Sequence, residues 1–318
     1  MATPACPAAT TGDPPMTEVE LRDAATVLIL RDGEPDADGD TLEVFMLRRN
    51  LNSDFVGGAY VFPGGAVDPE DRFDDLEPIC EGRTDVDAST RLGVERGGLA
   101  FWVAAIRESF EEAGVLLAYH ADGEVIRLDD PATAERFTTH RTAVDTKARR
   151  LVEVCEDEHL RLAVDSIWYF GHWITPVGAP RRYDTRFFVT GAPAAQTPLH
   201  DDHEVIANLW IRPKDALAQH GDGDFEMLPP TIASLRAVAR FPTAVEALAA
   251  ATEIVDVPTV LPRIIVDEGG VRIVLPGDPE YGDGYTGTDP LGHWPTVAER
   301  SATTIHVQDG AGQFGARP

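Results

Sequence analysis

The sequence predicts a mixed α+β sandwich, a fold in which helices pack against a sheet of parallel and antiparallel strands. Hydrophobic residues make up 43% of the 318 residues, which is enough for a sizeable core. Short runs that are typical of strands occur among longer helical segments. Their order is irregular and does not match a strict alternation of strand and helix, which favours the α+β class.

The first half of the chain contains predicted strands followed by one strong helix. The strands are the runs 25–31, 43–49 and 59–62. Residues 68–98 are acidic and show no sustained period. The helix is predicted over 101–113, because apolar residues recur three and four positions apart and Gly114 can end it.

The second half begins with a long helical segment, 131–163, and continues as a mixture of strands and helices. Strands are predicted at 168–175, 186–190 and 205–211, and helices at 213–219, 230–240 and 243–251. A hairpin is expected near the end, from strands 263–266 and 271–275 around Glu268-Gly269-Gly270. Beyond residue 276, Gly, Pro and Asp increase, and a loose tail is expected.

The charge of the chain limits its partners. Acidic residues number 54 and basic residues 27, a net charge of −27. Such a surface repels nucleic-acid backbones and anionic lipids, so we expect no nucleic-acid partner and no membrane partner. We expect no signal peptide at the start, and the longest apolar stretch is too short to span a bilayer, so a cytoplasmic location is expected. A small-molecule substrate is favoured, and the oligomeric state stays open.

The predicted helix over 101–113 carries an unusual group of acids. Glu108, Glu111 and Glu112 are spaced so that all three carboxylates project from one helix face. Arg107, four residues before Glu111, is expected to offset only that one charge. A divalent cation would resolve the remaining repulsion, and carboxylate oxygens suit Mg²⁺ or Mn²⁺. A solvated acidic face is the alternative.

A glycine corner precedes this helix. The third strand ends in Phe62-Pro63-Gly64-Gly65, where glycines allow a sharp turn or a close approach of the backbone to a phosphate. A pair of glycines alone is typical of an ordinary turn. Together with the acidic helix, it predicts a site for metal and phosphate.

These residues resemble the Nudix box, G-x5-E-x7-R-E-U-x-E-E-x-G-U with U aliphatic. Gly65 and Asp71 match its start, and the run from Arg107 to Val115 matches its end. Asp71 replaces the first glutamate and Ser109 replaces an aliphatic residue. The resemblance implies the Nudix fold, an α/β/α sandwich with a mixed sheet, helical additions and a C-terminal hairpin. It also implies metal-dependent hydrolysis of a pyrophosphate bond.

The box is split. Gly65 and Arg107 are 42 positions apart instead of 14, so the box holds 28 extra residues, most of which are assigned to the insertion 72–98. Such a split resembles the coenzyme A diphosphatase branch of the Nudix family. The resemblance covers 23–252, assigned as the Nudix domain, with 1–22 a disordered lead and 253–318 a C-terminal extension. The related coenzyme A signature is matched at Arg49, Gly58 and Phe62 to Gly65, but not at its second arginine.

The predicted site follows from the box. Glu108, Glu111 and Glu112 would bind the metal ion, and Arg107 would orient them, a role that the resemblance implies. Gly64 and Gly65 would present backbone groups to metal or phosphate. The general base would be a box glutamate, Glu111 or Glu112, or else Glu204 on a later loop.

Further substrate contacts are predicted from the few cations. We expect Arg49 to contact substrate, together with a cluster of arginines that could grip phosphates, namely Arg181, Arg182 and Arg186. Pairing of that cluster with surface acids is the alternative.

The resemblance favours coenzyme A or its acyl esters as substrate. Other dinucleotides such as NADH, or nucleotide sugars, remain open within the same enzyme class. A Nudix-fold module that senses a nucleotide without hydrolysing it is an alternative, although sensors often lose the box glutamates. An interaction scaffold that uses the acidic surface is a third interpretation, and it predicts no metal dependence.

Overall fold

Strands from both halves of the chain form one mixed sheet. The computed structural model describes residues 19–50, 58–72, 76–198, 205–267 and 270–281. The strands are β1 (Leu21–Asp32), β2 (Leu42–Arg49), β3 (Tyr60–Val61), β4 (Gly64–Ala66), β5 (Ala118–Tyr119), β6 (Arg161–Leu162), β7 (Trp168–Ile174), β8 (Arg182–Gly191), β9 (Val205–Ile211), β10 (Thr259–Val260), β11 (Arg263–Asp267) and β12 (Gly270–Val274). The helices are α1 (Asp85–Leu92), α2 (Leu99–Ala113), α3 (Pro131–Asp145), α4 (Leu151–Asp157), α5 (Pro213–Asp222), α6 (Pro229–Val238) and α7 (Ala244–Thr252).

The main sheet has the order β10-β7-β8-β1-β2-β3, with β4 also paired to β1 and β9 to β2. The long central pair β1–β8 is parallel, as is β10–β7, whereas the other pairs in this sheet are antiparallel. The pairs β5–β6 and β11–β12 form two separate two-stranded sheets. The predicted α+β class with a mixed sheet is confirmed.

Helices cover both faces of the main sheet. Along β1, Val27 and Ile29 belong to the core beneath α2, whereas Leu28 and Leu30 belong to the core beneath α6 and α7. This alternation follows from the two-residue period of a strand, which sends neighbouring side chains to opposite faces. Two buried cores therefore form a helix–sheet–helix sandwich, and β1 contributes to both.

Helix α2 lies at the centre of one face. Its first half is apolar and almost fully buried, and the indole Nε1 of Trp102 donates a hydrogen bond to the main-chain oxygen of Ile167 at 3.0 Å. Gly114 ends the helix in the left-handed conformation (φ 66°), as its sequence position predicted. The second half of α2, which carries the box residues, is thereby held at a fixed place above β1 and β4.

Several predicted boundaries are wrong. The segment 131–163 is not one helical unit but α3, α4 and strand β6, because Lys147 (φ 57°) and His159 (φ 54°) adopt left-handed backbone conformations that end the two helices. Strand β8 starts at Arg182, four residues before the predicted start, because it pairs with β1 along ten residues. Strand β1 starts at Leu21, within the segment assigned to the lead.

The residues inserted into the box contain an unpredicted helix, α1, which begins at the capping residue Thr84. This insertion also caps α2. The carboxylate of Asp85 accepts hydrogen bonds from the main-chain N–H groups of Gly97 and Leu99, both at 2.9 Å. The hydroxyl of Ser89 accepts one from Gly98 at 2.9 Å. Since the first N–H groups of a helix have no partners within it, these contacts fix the start of α2.

The C-terminal extension contributes to the sheet. Strand β10 extends it beside β7, and the predicted hairpin is present as β11 and β12. Residues 268–269 at its turn and the tail from 282 onward lie outside the described residues. In the part of the chain that the structure describes, no helix has the length and apolar character needed to cross a membrane.

We expect Asp85→Ala to lower the free energy of unfolding by about 1–2 kcal/mol, the usual effect of losing a helix-capping side chain. Urea denaturation measures this. Glu95→Ala, at an exposed position of the same segment, is the matched control and should leave stability almost unchanged. Equal stability of the two variants would contradict the capping role of Asp85.

Candidate active site

The last two turns of α2 bring the acidic side chains of the box to a largely buried position. The side chains of Glu108 and Glu111 are each 12% exposed, and Glu112 is 5% exposed. Burial of several carboxylates in one place is costly unless each is paired or hydrogen-bonded. The partners of these groups therefore define what the site can do.

Arg107 is the main partner. Its Nη1 donates to Glu108 Oε1 at 2.9 Å and to Glu111 Oε2 at 2.8 Å. Its Nε and Nη2 each donate to Asp71 at 2.9 Å, and Nη2 also donates to the main-chain oxygen of Ala66 at 2.8 Å. The expectation that Arg107 offsets only one charge is wrong, because the planar guanidinium has five N–H donors that face several partners at once.

Asp71 links the two parts of the split box. It ends a short 3-10 helix, Pro69–Asp71, and is only 1% exposed. Its carboxylate also accepts a hydrogen bond from the main-chain N–H of Asp68 at 2.9 Å. Asp71 was not among the predicted site residues, although its place at the acidic position of the box was a signal for it.

The glycine corner contacts the same helix. The main-chain N–H of Gly64 donates to Glu112 Oε2 at 2.9 Å. A Cβ atom at Gly65 would overlap the carboxylate of Glu108, and one at Gly64 would overlap the main chain of β1. Glycine is therefore required at Gly64, whereas a side chain at Gly65 would displace the carboxylate of Glu108. The structure brings Glu108 and Glu112 directly against the corner, as a metal and phosphate site here would need.

Burial changes the acidity of the box carboxyls. It raises the pKa of Glu108 to about 7 and that of Glu111 to about 8, although the positive charge of Arg107 acts in the opposite direction. Burial likewise raises the pKa of Asp71. For Arg107, burial lowers the pKa, but the carboxylates of Glu108 and Asp71 outweigh burial and raise it overall. The site thus lacks positive charge in spite of Arg107.

The donor set suits a hard divalent cation. Among the described residues, no three His, Cys, Asp or Glu side chains are already arranged to hold a metal ion, because Arg107 and Gly64 engage the box carboxylates. The site nevertheless offers buried carboxyl groups with raised pKa values, and that of Glu108 lies directly against Gly65. Oxygen ligands of this kind are those that Mg²⁺ and Mn²⁺ prefer.

The arginines predicted to grip phosphates do not act as one cluster. Arg186 is 4% exposed and contacts Asp184 and His172 beneath the ring of Phe101. Arg182 donates to the main-chain oxygen of Thr175 at 3.1 Å and lines a shallow pocket with the exposed Arg181. Arg186 lies four residues further along β8 than Arg182 and is held by Asp184 and His172, which explains why these residues separate.

Of the two remaining predicted site residues, the structure describes Arg49 but not Glu204. Arg49 ends β2 half-buried, and its main-chain N–H donates to Ala59 at 3.0 Å. Glu204 lies outside the described residues, so its predicted role as general base stays a prediction.

Sequence reasoning missed contacts from α3 and the turn after it. Arg141 Nε donates to the main-chain oxygen of Glu111 at 2.8 Å. Lys147 Nζ donates to Asp68 Oδ2 at 2.8 Å, and this contact raises the pKa of Lys147. Neither residue belongs to the box or to a recognisable motif. Their proximity to it depends on how α3 packs against α2.

The fold and the carboxylate-bearing helix agree with comparisons with known proteins. A family model described as the NUDT19 Nudix domain matches residues 89–238. The acyl-coenzyme A diphosphatase NUDT19 of Xenopus laevis is 24% identical over 304 residues, covering 86% of this chain and 79% of that protein. The human protein of the same name is 28% identical over 286 residues, covering 78% and 74%.

A solved structure supports the same relationship. The crystal structure of a NUDIX hydrolase from Alicyclobacillus acidocaldarius is 28% identical and has a TM-score of 0.58. The match covers 73% of this chain and 96% of the Alicyclobacillus chain.

A mixed sheet between helices, with a glycine corner against a glutamate-rich helix, defines the class as a Nudix hydrolase. Enzymes of this class generally need a divalent metal ion. Within the class, the comparisons support the NUDT19 branch of the Nudix family.

We expect the stabilisation of the protein by Mg²⁺ to increase with pH between 6 and 8.5. Glu108 and Glu111 have raised pKa values, so the metal-free folded state holds extra protons above the usual glutamate pKa of 4.5 and loses stability as pH rises toward 8. A bound cation must displace those protons, and it does so more easily at higher pH. Thermal unfolding with and without Mg²⁺ measures the effect.

A shift in Tm on adding Mg²⁺ that is the same at pH 6 and pH 8.5 would contradict this linkage. Glu111→Gln is the informative variant, because it removes the group whose pKa is about 8. Its metal-induced stabilisation should be smaller and should level off at a lower pH.

Proposed function

We propose that the chain hydrolyses the pyrophosphate bond of coenzyme A or of acyl-coenzyme A esters, with Mg²⁺ or Mn²⁺ bound by Glu108, Glu111 and Glu112. The observation that carries the proposal is the buried carboxylate group of α2 against the glycine corner, in a chain whose relatives are named acyl-coenzyme A diphosphatases. Water would attack one phosphorus, and the bond from that phosphorus to the bridging oxygen would break.

A bound metal ion would neutralise phosphate charge and lower the pKa of the attacking water. Arg107 acts as a positioning residue, since its bonds to Asp71, Glu108 and Glu111 hold the carboxylates in place. The N–H of Gly64 fixes one oxygen of Glu112. These contacts orient the ligand set before substrate arrives, which reduces the reorganisation that the reaction requires.

A base must take the proton of the attacking water. We propose a box glutamate for this role, with Glu111 the first candidate, because it is the box glutamate that lines the cleft beside the box. Glu112 and Glu204 are the other candidates for the base. Substitution of each by glutamine, followed by comparison of pH–rate profiles, distinguishes among the three.

The substrate is tested by following hydrolysis of a panel with Mg²⁺, with Mn²⁺ and with a chelator. The panel contains coenzyme A, acetyl-coenzyme A, NADH and a nucleotide sugar. We expect the coenzyme A compounds to give the highest kcat/KM and to yield an adenosine bisphosphate and a phosphopantetheine. Faster hydrolysis of NADH or of the sugar would overturn the substrate assignment. Turnover in the presence of the chelator would overturn metal dependence.

We expect Glu112→Gln to lower kcat on the order of 10³-fold, about 4 kcal/mol of barrier at 1.36 kcal/mol per tenfold. The glutamine oxygen can still accept from Gly64, so folding should be nearly unchanged. Steady-state kinetics and thermal unfolding measure the two effects. Glu135→Gln, at an exposed position of α3, is the matched control. Wild-type rates in Glu112→Gln would refute the site.

A further inference from the structure

A cleft beside the box has a second wall that no motif identifies. One wall contains Asp68, Asp71, Arg107 and Glu111. The other is formed by the end of α3 and the α3–α4 turn, residues 146–150, which contributes Lys147, Arg149 and Arg150. Three cations within four residues are unusual in a chain with a net charge of −27. All three line the cleft, and Lys147 reaches Asp68 on the opposite wall.

Lys147 occupies a position that normally favours glycine. It follows the last turn of α3 with φ 57°, and its main-chain N–H donates to Val144 at 2.9 Å. A left-handed residue at this place ends many helices, and it is usually glycine because a Cβ disfavours the conformation. Backbone strain of this kind is often found at functional sites. Glycine at this position would therefore remove the side chain without disturbing the turn.

The three cations differ in how firmly the protein holds them. Arg149 donates to the main-chain oxygen of Glu153 and to Asp157, and Arg150 donates to Glu153, all on α4. Lys147 instead reaches across the cleft to Asp68, and its side chain is 64% exposed. An exposed lysine–aspartate pair is weak, so its ammonium is available to exchange Asp68 for a phosphate oxygen.

We propose that Lys147 binds a phosphate oxygen of the substrate, from the wall of the cleft opposite the box. This deepens the proposed function and rests on it, because the ligand is the pyrophosphate group that the box would cleave. Asp68 neutralises the ammonium when the cleft holds no substrate. Arg149 and Arg150 add positive potential behind Lys147 without leaving their partners on α4.

The first test is the variant Lys147→Gly, which removes the ammonium while placing a favoured residue in the left-handed turn. We expect it to fold at least as stably as the wild type and to raise KM for coenzyme A about 10- to 100-fold, as loss of a charged hydrogen bond does. Lys147→Arg should restore most of the affinity. An unchanged KM in Lys147→Gly would overturn the proposal.

His159→Gly is the matched control, since His159 is the other described non-glycine residue with a positive φ (54°) and is exposed at the end of α4. It relieves the same backbone strain without touching the cleft, so its KM should equal that of the wild type. The Mg²⁺-induced rise in Tm should be the same in Lys147→Gly and in the wild type. If Lys147→Gly lost the Mg²⁺-induced increase in Tm but kept the wild-type KM, the role of Lys147 would be to position Asp68. That result would overturn phosphate binding by Lys147.

A second test needs no turnover. The chain has two lysines, Lys147 and Lys214, and Lys214 is 54% exposed and also paired with an aspartate, Asp40. Brief acetylation followed by mass spectrometry reports both at once. Adding the non-hydrolysable α,β-methylene analogue of ADP with Mg²⁺ should lower labelling of Lys147 relative to Lys214. An unchanged ratio would overturn the proposal even if coenzyme A is hydrolysed, whereas protection without hydrolysis would count only against the proposed activity.

Discussion

The site depends on a single buried guanidinium. Arg107 bonds to Asp71, Glu108 and Glu111 and to the main chain at Ala66, and so joins the 3-10 helix, strand β4 and helix α2. Removing one partner from such a buried group leaves uncompensated charge and costs about 3–5 kcal/mol. The hub fixes the ends of the box in space, although the inserted residues separate them along the chain.

Arg107 does not supply enough positive charge to neutralise the carboxylates around it. This deficit is what a bound cation would correct. Three carboxylates bond to one guanidinium, and burial raises the pKa of Glu108 to about 7 and that of Glu111 to about 8. A cation bound in the proposed site would be attracted by the uncompensated carboxylates, and it would reduce their repulsion of a polyphosphate. In so acidic a chain, the positive potential for an anionic substrate comes from a few places, of which the α3–α4 turn is one.

Much of this could be predicted from the sequence because it depends on local spacing. Periodicity and residues with unusual backbone freedom predict the longer strands of the main sheet, the helix that carries Glu108 and Glu112, and the glycine corner. They do not predict the short strands β4 and β10. The reach of Arg107 could not be predicted, because spacing along one helix does not include Asp71. The break between α3 and α4 was also missed, since Lys147 and His159 give no signal of left-handed backbone. The predicted cluster of Arg181, Arg182 and Arg186 failed for a different reason. These residues are close in sequence, but Arg186 is buried and does not share their exposed surface.

The insertion that caps α2 has a consequence for how this motif can change in evolution. Asp71 and Arg107 are separated by 35 residues where the family pattern has seven. Closing the longer connection costs only about 1.4 kcal/mol more, since loop entropy grows with the logarithm of length. The side chains of Asp85 and Ser89 accept hydrogen bonds from main-chain N–H groups at the start of α2. The stabilising free energy of these bonds is comparable to that cost. A catalytic motif whose two parts are joined by ion pairs can therefore tolerate an inserted segment between them. The hydrogen bonds that the inserted segment makes to α2 offset the entropic cost of closing the longer loop.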